Sequence, residues 1–434
     1  FTKTEIKIFN CLQKPKRKKG KFISSPLEII KLAAKVEDEL KEFSARKFDN
    51  GSFWETSKYK DNFKLSESSY ETLLSNLKAV RNDIIKEGIL EKKIVQKLLV
   101  MAILVKYLEE RKDEDGNTVF PGDFFSRFAP GAKKFTDVLK EKGACLDLFD
   151  YLGKHFNGEI FAWLKKEERE KISQTDLKPF ANFLEGMEDD TGQRSFWPLY
   201  SFNDLPIELI SNIYEEFLGD KAGVVYTPPY LVNFLIDEAM PISETKNDFK
   251  VLDPACGSGV FLVAAYKRII DWWRISNNWD KPDKDTLKKL LRENIFGVDI
   301  DHDAVRLTIF SLSLVLFDAL SPKVIWEKLK FDNLKSSDNL FDKDFFELIS
   351  NKQLLGKFDL VIGNPPFIEN LTTDAAVKLE AKQLKKRVKI PENQLSLLFL
   401  EQSMAACKPG GLLCLILPSG PFLYNNNSID FRKY

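Results

Sequence analysis

After Gly219, short apolar runs alternate with amphipathic helical patterns, and this alternation constrains the fold more than any other feature of the chain. FKVLDPACGSG, NIFGVDID, KFDLVIGNPPF and GGLLCLILP each contain a β-branched or aliphatic run, with helical periodicity between them. Strands joined through helices give an open parallel sheet with helices on both faces. Ligands of such sheets bind outside the carboxyl ends of the strands. The unusual residues of this half of the chain gather at those ends.

VLDPACGSG (251–259) closes a strand with Asp253 and turns through Ala255, Gly257 and Gly259. Glycine permits positive φ and lets a ligand approach the backbone closely. The dinucleotide fingerprint is incomplete: Leu262 stands where its third Gly belongs, and the next strand-end acid, Asp299, comes 40 residues after Gly259. An acid ahead of the turn suits a ligand that carries a positive group. GVDID (297–301) puts Asp299 at the tip of the second strand, where a carboxylate can accept both hydroxyls of a ribose. Asp301 and Asp303 read as helix N-caps. SSDNLF (336–341) sets Asp338 after a weak third strand, in position to accept from an adenine amino group.

GNPPF (363–367) follows the next strand. Pro365 and Pro366 have no N–H and a fixed φ, so the backbone is stiff and its carbonyls are available as acceptors. Asn364 adds a side-chain oxygen. Two oxygens at a fixed separation suit an exocyclic amino group. Phe367 then offers a face on which a base can stack, worth about 1–3 kcal/mol.

The rest of the chain is plainer. Its 434 residues allow two or three domains. Residues 1–65 are polar and irregular, with a basic run KPKRKKGK (14–21) that reads as a solvated tail or linker. Glu5 and Lys7 form a Glu-x-Lys pair that is either chance or the end of a metal-nuclease motif. From residue 66 to 218 the period is helical. Leu73, Leu74, Leu77, Val80 and Ile84 share one face, and Ile94–Leu108 reads as a buried helix. Further helices are predicted around Leu139–Phe156, Leu164–Ile172 and Ile207–Leu218. This block reads as a packing or docking domain. Residues 219–434 form the third unit, C-terminally incomplete. The chain starts at Phe1 and stops without a taper, so it looks like a fragment of something longer.

Five cysteines form no CxxC pair, and His155 and His302 are the only histidines, so no metal site is expected and the thiols read as reduced. With 65 basic and 65 acidic residues the net charge is zero. A nucleic-acid binder usually carries a basic excess, so the basic surface lies elsewhere or the chain is not such a binder. The basic residues Lys378, Lys382, Lys385, Lys386, Arg387 and Lys389 read as a solvated helix face or as a track for phosphates. No signal peptide is visible, and LLVMAILV (98–105) is far short of the ~20 residues a membrane span needs. A cytoplasmic protein with no membrane partner is expected.

Taken together in their order, these motifs resemble those of the S-adenosylmethionine-dependent adenine-N6 DNA methyltransferases. Their signature is Asp, Asn or Ser, two prolines and an aromatic residue, following a DPACGSG-type turn. GVVYTPPYLVNFLI (223–236) resembles the family's N-terminal motif. The motif order is similar to the gamma arrangement of type I modification subunits and type IIG fused restriction–modification enzymes. The resemblance covers about residues 70–430. It implies an α/β fold, a Rossmann-like class I methyltransferase sheet preceded by an all-α N-terminal domain.

It also implies S-adenosyl-L-methionine as cofactor. Tyr226 and Thr227 would touch its methionine end, and Asp253, Ala255, Gly257 and Gly259 would line its pocket. Asp299 would hold the ribose and Asp338 the cofactor's adenine. Asn364 and the Pro365 carbonyl, held stiff by Pro366, would grip N6 of the target, with Phe367 stacked on the flipped base. The implied partners are double-stranded DNA, a specificity (target-recognition) subunit or domain, and a nuclease subunit or domain of a restriction–modification or phage-defence system. The family's later aromatic motif and target-recognition domain are expected beyond Tyr434, which leaves autonomous DNA binding in question.

Three alternatives stay open. Cytosine N4 is an exocyclic amine too, though its tetrad more often begins with Ser. Glutamine-amide methyltransferases use an NPPY tetrad but are shorter and are not expected to carry YTPP ahead of the first strand. A non-catalytic DNA- or partner-docking subunit could keep the fold, although the intact cofactor acids speak against it.

Overall fold

The computed structural model describes residues 5–9, 16–18, 21–23, 25–31, 82, 85, 90–113, 115–156, 161, 163–185, 227–330 and 339–433. Four short strands lie near the start: β1 (Glu5–Ile8), β2 (Lys16–Lys18), β3 (Lys21–Ile23) and β4 (Glu28–Lys31). β1 pairs antiparallel with β4, and β2 with β3. The expectation of irregular chain over 1–65 is therefore corrected at these positions, and part of the basic run is hairpin strand. Runs of three or four residues among so many charges are too short for a period-2 signal to emerge.

The helical block follows. α1 (Lys92–Glu110) is apolar nearly all round and is buried from Ile94 to Leu108, as a helix inside a bundle should be. The single helix expected over Leu139–Phe156 is two, α2 (Phe135–Lys140) and α3 (Ala144–Phe156). Gly143 separates them at φ +77°, a backbone that favours glycine and stops a helix. α4 (Lys166–Gln174) starts two residues later than Leu164, because the Glu168 carboxylate accepts from the Lys165 N–H at 2.8 Å and fixes the first turn there. α5 (Lys178–Glu185) completes the described block. The helical faces expected at Leu73–Ile84 and Ile207–Leu218 fall largely or wholly outside the described residues, as does Tyr226.

The second half is the alternating α/β unit that the strand pattern predicts. α6 (Pro229–Ala239) leads to β5 (Val251–Asp253), α7 (Val260–Ser276), α8 (Lys284–Asn294) and β6 (Ile295–Val298). α9 (His302–Ala319), α10 (Pro322–Lys328), β7 (Leu340–Phe341) and α11 (Phe345–Ser350) follow. β8 (Phe358–Gly363), α12 (Asp374–Gln383), α13 (Leu395–Ala406), β9 (Cys407–Leu415) and α14 (Ile429–Lys433) end the unit.

The five strands form one sheet in the order β7-β6-β5-β8-β9, and every neighbouring pair is parallel. Successive strands step outward from β5 through β6 to β7; β8 then starts again on the other side of β5. That reversal makes the carboxyl ends of β5 and β8 the switch point at which a ligand crevice opens.

Alternate residues of each strand feed opposite faces. Val251, Leu360 and Ile362 join an apolar core with α7, α9 and the helical block, while Leu252, Val298 and Val361 join a second core with α11 and α13. The first core is continuous from the helical block into the sheet unit. His155 stacks on Trp326 with ring centroids 4.0 Å apart and its Nε2 lies 2.9 Å from the Trp326 carbonyl. Burial pushes the His155 imidazole down from its ordinary value, consistent with a neutral ring that donates from Nε2. Among the described residues no helix is long and apolar enough to cross a membrane.

Candidate active site

Asp253 ends β5 and is 1% exposed. Its Oδ1 accepts from the Ala255 N–H at 3.0 Å, tying the carboxylate to its own turn. On the far side it meets β8: a Cβ added to Gly363 would fall 2.5 Å from Asp253 Oδ1. Only glycine fits there, so the tips of β5 and β8 close to contact at the switch point. Gly363 belongs to the quoted GNPPF stretch, yet nothing in the sequence says that it faces Asp253.

The turn after β5 is built on two positive-φ glycines, Gly257 at +54° and Gly259 at +85°. Gly259 is the N-cap of α7, and a Cβ on it would lie 2.8 Å from Thr308 Cγ2. Thr308, buried on α9, braces the turn by donating from Oγ1 to the Gly257 carbonyl at 2.9 Å. The Cys256 N–H donates to the Val298 carbonyl at 2.9 Å, which stitches the turn to the end of β6. Burial, then Asp299 and Asp253, push the Cys256 thiol well above its ordinary value. It is packed and protonated and is no nucleophile.

Asp299 follows β6. Its Oδ2 accepts from the Gly257 N–H at 2.9 Å and its Oδ1 from the Asp301 N–H at 2.8 Å. These two bonds orient the carboxylate at the tip of β6. Asp301 is the N-cap of α9 and accepts from the Asp303 N–H at 3.0 Å. Asp303 is not a cap: it lies in the first turn and accepts from Trp163 Nε1 at 2.9 Å. A buried indole of the helical block thus holds the acid turn of the sheet unit, a contact across 140 residues that leaves no local sequence signal.

Asp338 lies outside the described residues. Among the described residues, β7 (Leu340–Phe341) pairs with β6 just beyond it. The Asn339 carbonyl accepts from the Gly297 N–H at 2.8 Å. An added Cβ on Gly297 would lie 2.7 Å from Leu262 Cδ1, which is why Leu262 can stand where a third glycine was absent.

Asn364 leaves the tip of β8. Its Nδ2 donates to Thr227 Oγ1 at 3.0 Å, which holds the amide with its carbonyl oxygen directed away from Thr227. Thr227 and Pro365 are buried, whereas Asn364, Pro366 and Phe367 are half-buried. The ring expected to be exposed is thus partly covered. Behind it, the Ile368 carbonyl accepts from the Leu395 N–H at 2.9 Å, so the segment returns to its origin before α13 begins.

The structure therefore brings Thr227, Asp253, Ala255, Gly257, Gly259, Asp299, Asn364 and Pro365 to one end of the sheet. Among the described residues no three His, Cys, Asp or Glu side chains converge as metal ligands do.

The sheet order and the glycine turn after β5 define a Rossmann-like, doubly wound α/β fold preceded by helices. Residues 293–434 match the Eco57I restriction-modification methylase family. The chain is similar to methyltransferases of restriction–modification systems. It is 27% identical over 275 residues to the type II restriction enzyme and methyltransferase RM.Eco57I of Escherichia coli, across 51% of this chain and 27% of that protein. RM.BcgI of Heyndrickxia coagulans, also a type II restriction enzyme and methyltransferase, is 25% identical over 270 residues, across 60% of this chain and 33% of its own. The adenine-specific methyltransferase PglX of Streptomyces coelicolor is 24% identical over 197 residues, across 37% of this chain and 16% of its own. The chain thus spans a third or less of these relatives' lengths.

Proposed function

We propose that this chain is the methyl-transferring part of an adenine-specific DNA methyltransferase, with S-adenosyl-L-methionine as donor and N6 of a flipped adenine as acceptor. The observation that carries the proposal is the convergence of Asn364, Thr227 and Asp253 at the switch point between β5 and β8. The name of PglX supports adenine as the target base. The names of RM.Eco57I and RM.BcgI support a place in a restriction–modification system. Double-stranded DNA is the proposed partner, with a specificity subunit or domain and a nuclease subunit or domain. The proposed units are residues 1–65, 66–218 and 219–434.

The residues of the crevice fit the donor. Gly257 and Gly259 bare the backbone of the turn, and Asp299, oriented by the Gly257 N–H, is assigned to the ribose hydroxyls. Asp253, beside the turn, suits the donor's positively charged groups. Tyr226 and Thr227 are assigned to its methionine end and Asp338 to its adenine. When bound, S-adenosyl-L-methionine supplies a methyl group on a positively charged sulfur.

A base inside a duplex cannot reach the strand tips, so the target is swung out at a cost of a few kcal/mol. Adenine N6 is a weak nucleophile because its lone pair is delocalised into the ring. Asn364 Oδ1 and the Pro365 carbonyl accept the two amino hydrogens and favour a tetrahedral nitrogen. They also stabilise positive charge developing on N6, each contributing about 3–4 kcal/mol as preorganised acceptors do. Pro366 stiffens the loop, and Phe367 stacks on the extruded ring. Alignment of the two reactants supplies much of the remainder.

Substitution of Asn364 by Ala tests the assignment. Methyl incorporation into DNA is expected to fall at least a hundredfold while donor affinity stays within about threefold. Activity within tenfold of the parent would remove Asn364 from the reaction.

A further inference from the structure

The excursion between β8 and α13 carries a strip of positive charge. Between Val377 and Ile390 the exposed charges are Lys378, Lys382, Lys385, Lys386 and Lys389, flanked by exposed Asp374 and Glu392. Among the described residues none of the five forms an ion pair. The acid of this segment, Glu380, is buried and turned inward onto Arg387.

Arg387, expected among the surface basic residues, is the anchor that makes the strip. Its side chain is 0% exposed and is gripped by two carboxylates. Nε and Nη2 donate to Glu401 at 2.8 and 2.7 Å, while Nη2 and Nη1 donate to Glu380 at 2.6 and 3.1 Å. The Ile390 N–H adds a bond to Glu380 Oε1 at 3.0 Å. This clamp fastens α12 and the chain after it to α13. The excursion that carries the strip leaves and returns next to the proposed base site, since the Ile368 carbonyl accepts from the Leu395 N–H.

We infer that these five lysines contact the phosphate backbone of the DNA flanking the flipped adenine. The inference rests on the proposed DNA methylation and goes beyond it by naming the surface that holds the duplex. A local excess of five cations on a chain of zero net charge has a polyanion as its electrostatic complement, and lysine binds phosphate as a point charge without reading sequence. The strip thus supplies the basic surface that overall composition hides. Exposed Val377, Leu384 and Val388 run alongside the lysines, so a protein partner is the competing occupant.

The test replaces all five lysines with Gln in the complete gene product that contains this chain. Duplex DNA affinity is measured from about 50 to 200 mM salt, beside a control with Gln at exposed Lys133, Lys142, Lys165, Lys166 and Lys178. Each lost phosphate contact lowers the slope of log affinity against log salt by about 0.9. The strip variant is expected to lose about 3 to 4.5 of slope and the control less than 1, with donor affinity unchanged in both. Equal slopes for the parent and the strip variant, or an equal loss in the control, overturn the strip while leaving the methyltransferase proposal standing. A parent without salt-dependent DNA binding overturns both.

Discussion

Asn364 and Thr227 lie 137 residues apart and share a hydrogen bond of 3.0 Å, from the amide Nδ2 to the threonine hydroxyl. The bond joins the segment entering the sheet unit to the loop leaving β8. In the proposed reaction it helps to orient the Asn364 amide toward the target base. Thr227→Val removes the acceptor and lets the amide rotate. Turnover is expected to fall about tenfold, matching a hydrogen bond of about 1–1.5 kcal/mol, and Thr227→Ser to restore it. Steady-state kinetics on duplex DNA check this. A Val variant with parental turnover, or a Ser variant no better than Val, would detach the pair from the reaction.

Gly363→Ala puts a methyl group 2.5 Å from Asp253 Oδ1. The buried acid or the strand must move, and overpacking of this kind costs about 1–3 kcal/mol. A lowered thermal midpoint together with weaker donor binding is the expected pair of changes. Loss of neither would mean that the two strand tips are further apart than described.

Asp299 orients itself through the N–H groups of Gly257 and Asp301. Asp299→Asn keeps a carbonyl oxygen for one of those bonds but loses the charge and the acceptors for a diol. Calorimetric titration with the donor is expected to show at least tenfold weaker binding on an intact fold. Parental affinity would take Asp299 out of the pocket.

The Arg387 clamp yields a contrast between single and multiple changes. Arg387→Met leaves Glu380 and Glu401 buried without their cation and is expected to destabilise by about 3–5 kcal/mol. Replacing all three by apolar residues of similar volume removes the charges with their penalty and should recover most of that loss. Denaturant unfolding of both variants measures it, and equal damage in the two would show that packing, rather than charge, holds the segment.

Acid stability has one local contributor that can be tested. Burial opposes ionisation of Glu185, yet Lys140 at 2.7 Å and Lys134 at 2.9 Å outweigh it and hold the carboxyl at about 2. A folded value below the unfolded one gives stability that is fully present above about 4.5 and fades as pH falls toward 2. Glu185→Gln should lower the melting temperature at pH 7 and flatten its decline in that window. A decline as steep as the parent's would assign the acid sensitivity to other groups.

The strand-to-helix alternation was legible because each strand carries its own apolar run and each tip its own breaker residues, so Asp253, Gly257, Asp299 and Asn364 could be named from local pattern alone. What joins them could not. Thr308, Trp163 and Gly363 act through partners in other segments, and a buried Thr in a helix or a Trp in a connection looks the same whether or not it meets such a partner. Arg387 was grouped with five surface lysines because only folding brings Glu401 back onto it.

The most direct test of the central claim is the identity of the methylated nucleoside. The complete gene product is incubated with duplex DNA and isotopically labelled S-adenosyl-L-methionine, and the DNA is digested to nucleosides for mass spectrometry. Label in N6-methyladenine, abolished by Asn364→Ala, is the predicted result. Label in N4-methylcytosine, or no label in DNA from a folded, donor-binding protein, would contradict it.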